Sequence, residues 1–397
     1  MTAANSRRVF VTSADRTRIA VAVTGRGRSL VVVHGSLSTS ADWQRVADSL
    51  APQMTTYAID RRGYGSSEDA VHCSVEQERD DVAAVDDETA EATLAAAWET
   101  GVRCFDTAPG YGLGLGEHRF GHFLRRRPRQ DFVLATKVGR LVRTHVDPAK
   151  HAVHGQGPGA SESLIFKDSL PFHIEVDYGY DAAMRSIDDS CQRLGISEID
   201  VVFVHDLGSD HLGDAWEQQF DLAVNGCFRA LAELRDQGVI KAWGLGNNVV
   251  EPGIRALKEA DPDVIQIAGR YTLLDHSALD ELFPLCAERA VPVMLGGVYN
   301  SDILAGGNHY DYTEAVPEVI AKRDRVQRIC VSHGIDIRAA ALQFSAAHPV
   351  VSTVLSGAKY PEKARQNAEF MSVPVSPELW QELKSEGILP EDAPVPD

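Results

Sequence analysis

The chain lacks the short motifs that most often mark a metal or a covalent nucleophile. No C-x-x-C, no H-E-x-x-H and no G-x-S-x-G occurs in its 397 residues. That removes the ready-made zinc, redox and nucleophile-elbow readings. No apolar run approaches the roughly 18–20 residues that span a bilayer, so no membrane role is expected. The N-terminus, MTAANSRRVF, has no apolar stretch after its basic pair and does not read as a secretory signal. Basic residues are in deficit: 39 Lys+Arg stand against 57 Asp+Glu, a formal net charge of -18. This opposes binding to nucleic-acid phosphates. Cysteines are few and scattered (Cys73, Cys104, Cys191, Cys227, Cys286, Cys330), as expected of reduced thiols in a cytoplasmic protein.

What remains is a globular composition, 44% hydrophobic and 24% charged, long enough for one large domain or two to three smaller ones. The charge is unevenly spread. Residues 1–85 hold 10 Arg, no Lys and 10 acidic residues, so the other 29 basic and 47 acidic residues carry all of the -18. The step predicts that two kinds of sequence meet near residue 85.

The front segment reads as strand, strand, Gly-rich turn, helix, strand. Arg18–Thr24 alternates, Leu30–Val33 is a short apolar run, and His34-Gly35-Ser36 is a turn. Ala41–Leu50 has helical spacing, and Thr56–Ile59 is a strand running into Asp60-Arg61-Arg62-Gly63-Tyr64-Gly65. Beyond residue 86, seven strand-like runs appear: Arg103–Asp106, Phe132–Thr136, Ile199–His205, Ile240–Gly244, Val264–Ile267, Val291–Leu295 and Val351–Leu355. Helical stretches such as Thr89–Thr100, Ala182–Leu194, Cys227–Gln237 and Leu279–Arg289 alternate with them. That pattern predicts an α/β fold with a parallel sheet. A closed (β/α)8 TIM-type barrel needs eight strands, so its first strand is missing or substituted here. Residues 141–177, rich in Gly and Pro, read as a long flap over the barrel mouth. Pro390–Asp397 reads as a polar tail.

Four polar residues stand at or just past strand ends: Asp106 in FDTAPGYG, Tyr111 in the turn after it, Lys137 in LATKVGR, and His205 closing IDVVFVH. Singly, each has a bland reading: a cap, a packing ring, a solvated lysine, a core histidine. Together, at strand ends that converge on one mouth, they form a proton-exchange set. A phenol ionises near pH 10, a neighbouring ammonium favours the phenolate, a carboxylate holds that ammonium, and a neutral imidazole orients a substrate oxygen. Such a set protonates a carbonyl while a cofactor delivers hydride.

FDTAPGYGLGLGEHRFG, LATKVGR and DYGYDAAMRSIDDSCQRLGISEIDVVFVHDL resemble the aldo-keto reductase family, over about residues 86–385. The resemblance implies catalytic roles for Asp106, Tyr111, Lys137 and His205, an NAD(P) cofactor, and a small carbonyl or sugar substrate, with sugar- and pyridoxal-type substrates as the subgroup's precedents. It further implies that Asn248 and Gln266 hold the nicotinamide carboxamide, and that Gly297 to Asn300, Tyr299 included, form a pyrophosphate loop. Gln366 and Asn367 then contact adenine, with Lys363 close by. The chain departs from relatives at three places. Asp302 adds a negative charge where they usually read NSGIL. Gly296 stands where many have a stacking tyrosine, and Gly357 where many have a lysine for a 2'-phosphate, which leans the cofactor to NAD.

VVVHGSLSTSADWQRVADSLAPQMTTYAIDRRGYGSSE resembles the start of an α/β-hydrolase fold. The strand-turn-helix that would carry the nucleophile is absent, so Ser36 has no catalytic neighbours and residues 1–85 read as a truncated, non-catalytic segment. The expected organisation is 1–85 as this segment, 86–385 as the reductase barrel and 386–397 as a tail. Either Thr56–Ile59 or Leu30–Val33 fills the missing barrel position, or the open edges are covered otherwise. The expected function is NAD(P)-dependent hydride transfer to or from an aldehyde, ketone or sugar lactol. The alternatives are a nucleotide-binding protein with impaired catalysis and, last, an esterase. No metal site is expected: His145, His151 and His154 have no partners in sequence.

Overall fold

The computed structural model describes residues 6–12, 18–26, 28–33, 41, 44–59, 86–144 and 169–396. The chain divides into two compact units, Met1–Val85 and Asp86–Asp397.

In the first unit, β1 (Ser6–Thr12), β2 (Arg18–Gly25), β3 (Arg28–Val33) and β4 (Met54–Ile59) form one sheet in the order β1-β2-β4-β3. Pairs β1–β2 and β2–β4 are antiparallel and β3–β4 is parallel. The parallel pair requires a crossover, which the helix Gln44–Leu50 provides. The alternation of β2 places Ile19, Val21 and Val23 on one face, where they pack with Ile59. Strand β1 escapes a reading of the sequence because Phe10 and Val11 are both exposed, so it carries no period-2 contrast. The His34-Gly35-Ser36 turn, the Asp60–Gly65 run and Cys73 lie outside the described residues.

In the second unit each of the seven expected runs overlaps a strand: β5 (Cys104–Asp106), β6 (Val133–Val138), β9 (Val201–His205), β10 (Ala242–Asn247), β11 (Val264–Ala268), β12 (Val293–Gly296) and β15 (Val351–Val354), while β13 (His309–Tyr310) and β14 (Thr313–Glu314) form a separate hairpin. They make one parallel sheet in the order β15-β12-β11-β10-β9-β6-β5. Strand β10 extends three residues past its expected end. Its glycines permit this: a Cβ on Gly244 would lie 1.7 Å from the Val264 carbonyl oxygen. Ala135, Phe203, Val264 and Met294 pack together on one face of this sheet. Leu134, Val202, Val204 and Leu245, one position out of phase, pack in the larger cluster that includes helix residues such as Ile187 and Leu231.

The sheet is open. Among the described residues β5 pairs only with β6 and β15 only with β12. Thr56–Ile59 and Leu30–Val33, read as candidates for the missing position, pair with each other in the first unit's sheet. The helical layer nonetheless meets across the gap. Thr93, in the helix Asp87–Glu99, donates from Oγ1 to the Lys359 carbonyl at 3.5 Å, just before the helix Pro361–Phe370, and Arg365 lies 3.4 Å from Glu99.

Two further expectations change. The ends of the 141–177 loop are ordered: β7 (Arg140–Arg143) and β8 (His173–Val176) pair antiparallel, while 145–168, with His145, His151 and His154, lie outside the described residues. The C-terminal stretch packs rather than dangles, with Ile388, Leu389 and Ala393 buried and the Tyr271 hydroxyl donating to the Pro394 carbonyl at 3.2 Å. Among the described residues no helix is long and apolar enough to cross a membrane.

Candidate active site

Strand alternation decides which side chains meet. Residues two apart share a face, so Asp106 follows Cys104, Lys137 follows Ala135, His205 follows Phe203 and Gln266 follows Val264. Each therefore lies on the face of that Ala135–Phe203–Val264–Met294 cluster, at or near the C-terminal end of its strand. In parallel barrels this is the end that carries active sites.

Lys137 is 1% exposed. Its Nζ donates to Asp106 Oδ2 at 2.7 Å and to the Thr107 carbonyl at 3.0 Å. An ammonium has three protons, so one remains. Nζ also lies 4.9 Å from the centre of the Tyr111 ring. The turn that carries Tyr111 is held at both ends: its amide donates to the Ala108 carbonyl and its carbonyl accepts from Gly116. A Cβ on Gly116 would lie 3.0 Å from that carbonyl oxygen, so glycine keeps the helix Leu115–Leu124 close to the turn. The Leu170 amide donates to the Gly112 carbonyl, tying the segment just before the His173–Val176 strand to the same loop. His205 is buried and meets Tyr111 edge-on, with ring centres 5.7 Å apart. Burial pushes the His205 imidazolium well below its usual range. The Asp206 carboxylate opposes this, and the charges of Lys137, Arg140 and His211 reinforce it. The histidine is therefore neutral at pH 7. All four expected catalytic residues come together.

The residues expected to hold the cofactor fall into two groups. Near the strand ends, Asn248 donates from Nδ2 to Asp210 at 3.3 Å, and its Oδ1 accepts from the Tyr312 hydroxyl at 3.4 Å. Gln266 Nε2 is buried without a partner, and so are both amide atoms of Asn247. The sequence reading missed Asn247. Its signal was the doubled asparagine of GLGNN, of which only the second was taken. A buried amide left unpaired is costly, and these donors and acceptors match what a carboxamide offers, so Asn247, Asn248 and Gln266 suit the nicotinamide end of a dinucleotide.

The second group lies around the helix Pro361–Phe370. The Tyr299 hydroxyl donates to Asn367 Oδ1 at 2.9 Å, and Asn367 Nδ2 donates to Ser356 and to the Gly357 carbonyl, each at 3.2 Å. Gln366 accepts from Arg338 at 3.3 Å. Lys363 is exposed on the same helix. Asn300 is apart from this group: it is 1% exposed, donates to the Gly269 carbonyl and accepts from Thr272, so its amide ties two loops together. Gly297, at φ +62°, leaves no room for a side chain, since a Cβ would lie 2.8 Å from the Gly269 nitrogen. Asp302 turns into its own loop, accepting from the His309 amide at 2.7 Å and facing His309 Nδ1 at 3.2 Å. Its charge is partly satisfied there.

Residues 75–387 match the profile of the Aldo/keto reductase family. The chain is 41% identical over 305 residues to pyridoxal 4-dehydrogenase of Microbacterium luteolum, covering 76% of this chain and 88% of that protein. It is 37% identical over 312 residues to D-threo-aldose 1-dehydrogenase of Pseudomonas sp, covering 77% and 90%. Among solved structures, the holo form of an aldo-keto reductase from Bacillus halodurans shares the fold with a TM-score of 0.58 at 23% identity, covering 76% of this chain and 88% of that one. An aldo/keto reductase from Klebsiella pneumoniae in complex with NADP and acetate has a TM-score of 0.52 at 22% identity, covering 78% and 89%. The chain belongs to the aldo/keto reductase family and is an NAD(P)-dependent oxidoreductase.

Proposed function

We propose that this protein transfers hydride between nicotinamide and a small aldehyde, ketone or sugar lactol, of the aldose or pyridoxal-like kind its relatives are named for. The observation that carries the reading is the buried contact of Lys137 Nζ with Asp106 at 2.7 Å, beside the Tyr111 ring. Tyr111 exchanges the proton with the substrate oxygen. Lys137 stabilises negative charge on the phenol oxygen as its proton leaves, and Asp106 holds Lys137 in place. Neutral His205 orients the substrate. Asn247, Asn248 and Gln266 hold the carboxamide of the cofactor, while Tyr299, Gln366 and Asn367 line its adenosine end. When bound, the nicotinamide supplies or accepts the hydride.

Gly357 offers no side chain for a 2'-phosphate, which supports NAD over NADP. Residues 1–85 are read as a truncated, hydrolase-like segment without catalysis. The β3–helix–β4 crossover supports this, as does the absence of a G-x-S-x-G nucleophile. The test is turnover of an aldose and pyridoxal panel with NAD and NADP, beside Tyr111→Phe. Loss of turnover with cofactor binding kept is the expected result. An active Tyr111→Phe protein would overturn the mechanism.

A further inference from the structure

Strand pairing holds His205 unequally on its two sides. Toward β10 the ladder reaches His205, which pairs with Gly246, and the Asp206 amide then donates to the Gly246 carbonyl at 2.9 Å. Toward β6 the ladder ends at Val138 and Val204, one residue short of His205. On that side a side chain takes over. Tyr178, fully buried just past β8, donates from its hydroxyl to the carbonyls of His205 and Asp206 at 2.9 and 3.1 Å. The left-handed backbone of Asp206, φ +51°, which aspartate tolerates better than most residues, brings these two successive carbonyls to one donor. Burial pushes the Tyr178 phenol far above its usual range, so the hydroxyl keeps its proton and stays a donor.

The tyrosine is itself gripped from two directions. Its ring lies against Gly139, two residues past Lys137, where a Cβ would sit 2.7 Å from ring carbon Cδ1. The Asp177 amide donates to the Gly139 carbonyl at 3.0 Å and ties the backbone to the same point. From behind, the Tyr178 carbonyl accepts from the Cys227 amide at 2.9 Å. Cys227 lies in a π-turn, Val224–Phe228, and a Cβ on Gly226 of that turn would collide with the Tyr178 carbonyl oxygen. Such turns interrupt a helix and recur at functional sites. Tyr178 therefore spans from the end of the Lys137 strand to the turn after His205. We propose that Tyr178 is a positioning residue for the reaction, its hydroxyl setting where the His205 imidazole stands relative to Lys137 and Tyr111. It acts through His205. The proposal rests on the roles given above to His205, Lys137 and Tyr111.

Tyr178→Phe keeps the ring against Gly139 and removes only the hydroxyl. A displacement of about 1 Å in an orienting group can cost about 100-fold in rate. On an aldose or pyridoxal that the wild-type enzyme turns over, kcat should therefore fall at least about 10-fold, with cofactor Kd unchanged. In a His205→Gln background the same change should alter kcat by less than about 2-fold, since the two residues act as one unit. Histidine labelled with ¹⁵N gives a readout independent of turnover. The His205 ring-nitrogen resonances, assigned by their loss in His205→Gln, should shift in Tyr178→Phe. Those of His276 and His348, which pack against Phe344 and Phe283, should stay in place. Wild-type kcat in Tyr178→Phe overturns the proposal. So does a fall that multiplies with that of His205→Gln, or one that leaves the His205 resonances unmoved. Circular dichroism checks the fold, and a variant that does not fold assigns the bond to the scaffold and overturns the proposal too. An unaffected Tyr178→Phe leaves the Tyr111→Phe test standing, and an active Tyr111→Phe leaves the His205 resonance test standing.

Discussion

Lys137→Met replaces a buried ammonium by an apolar chain of similar length and removes two contacts, to Asp106 at 2.7 Å and to Thr107 at 3.0 Å. The Asp106 carboxylate is then left with little compensation, because its other oxygen, Oδ1, is already buried without a partner. Breaking a buried ion pair from one side costs about 3–5 kcal/mol. The Asp106 side chain is 13% exposed and Lys137's is 2%, so water relieves the stranded aspartate more than the stranded lysine. Lys137→Met should cost about 3 kcal/mol and Asp106→Asn about 4 kcal/mol. With both charges gone, the Lys137→Met/Asp106→Asn protein has no unpaired ion and should recover about 2–3 kcal/mol relative to the sum of the single changes. Urea unfolding of the four proteins, followed by circular dichroism, measures the cycle. Turnover should not recover with stability, since the charge beside Tyr111 is absent; a loss of at least about 100-fold is expected in the double variant. Single costs that add within about 0.5 kcal/mol would refute the coupling. The arrangement on which the proposed chemistry rests would then be wrong.

Other outcomes follow from the same geometry. Gly121→Ala puts a Cβ 2.0 Å from the Leu194 carbonyl oxygen, a backbone clash expected to cost at least about 3 kcal/mol in thermal unfolding; a cost under about 1 kcal/mol would contradict that helix contact. Glu117 is fully buried, accepts from Thr136 at 2.7 Å and faces Arg193 at 2.5 Å, so Glu117→Gln should destabilise by about 3 kcal/mol, measured as a lowered urea midpoint at unchanged slope. Burial, aided by Lys322, pushes His276 down to about 4 from its ordinary 6.5. The unfolded chain therefore binds that proton first, and stability falls as pH drops from about 6.5 toward 4. The contribution lost at pH 5 is about 2 kcal/mol, and His276→Phe should remove it; an unchanged acid slope in that variant would refute the assignment. Replacing residues 1–85 by a reductase-type first strand should raise Tm, by giving β5 and β15 a second neighbour; no rise would count against the open edges as a source of instability.

The elements were legible because the second unit's strands are short apolar runs buried on both faces, which stand out between longer helical stretches. Val202 to Val204 in IDVVFVH and Ile265 to Ile267 are of this kind. Strand β1 was not legible, for want of contrast between its faces. The β7–β8 ribbon was hidden because only four residues at each end of a long loop pair. The four residues proposed as catalytic could be picked out as polar groups at successive strand ends. Asn247 could not, since nothing in GLGNN separates a buried, unpaired amide from its engaged neighbour. The neighbourhood of Asp206 was equally hidden, because a left-handed turn brings its carboxylate to 3.4 Å from His205.

By itself the sequence determined the order and type of the second unit's elements, the seam near residue 85, and the chemical identity of Asp106, Tyr111, Lys137 and His205. These follow from periodicity, composition and side-chain type, which are local properties. Tertiary structure alone decided what those residues touch. Parallel register, 2-residue alternation and the turn at Gly116 bring positions from three strands and a loop together, with Lys137 hydrogen-bonded to Asp106 and beside the Tyr111 ring, and burial then sets the charge of His205. Tertiary structure also decided that β1 to β4 pair among themselves, and that among the described residues β5 and β15 each have one neighbour. Strand pairing depends on long-range partners that compete for the same edge, and no local pattern records which partner wins.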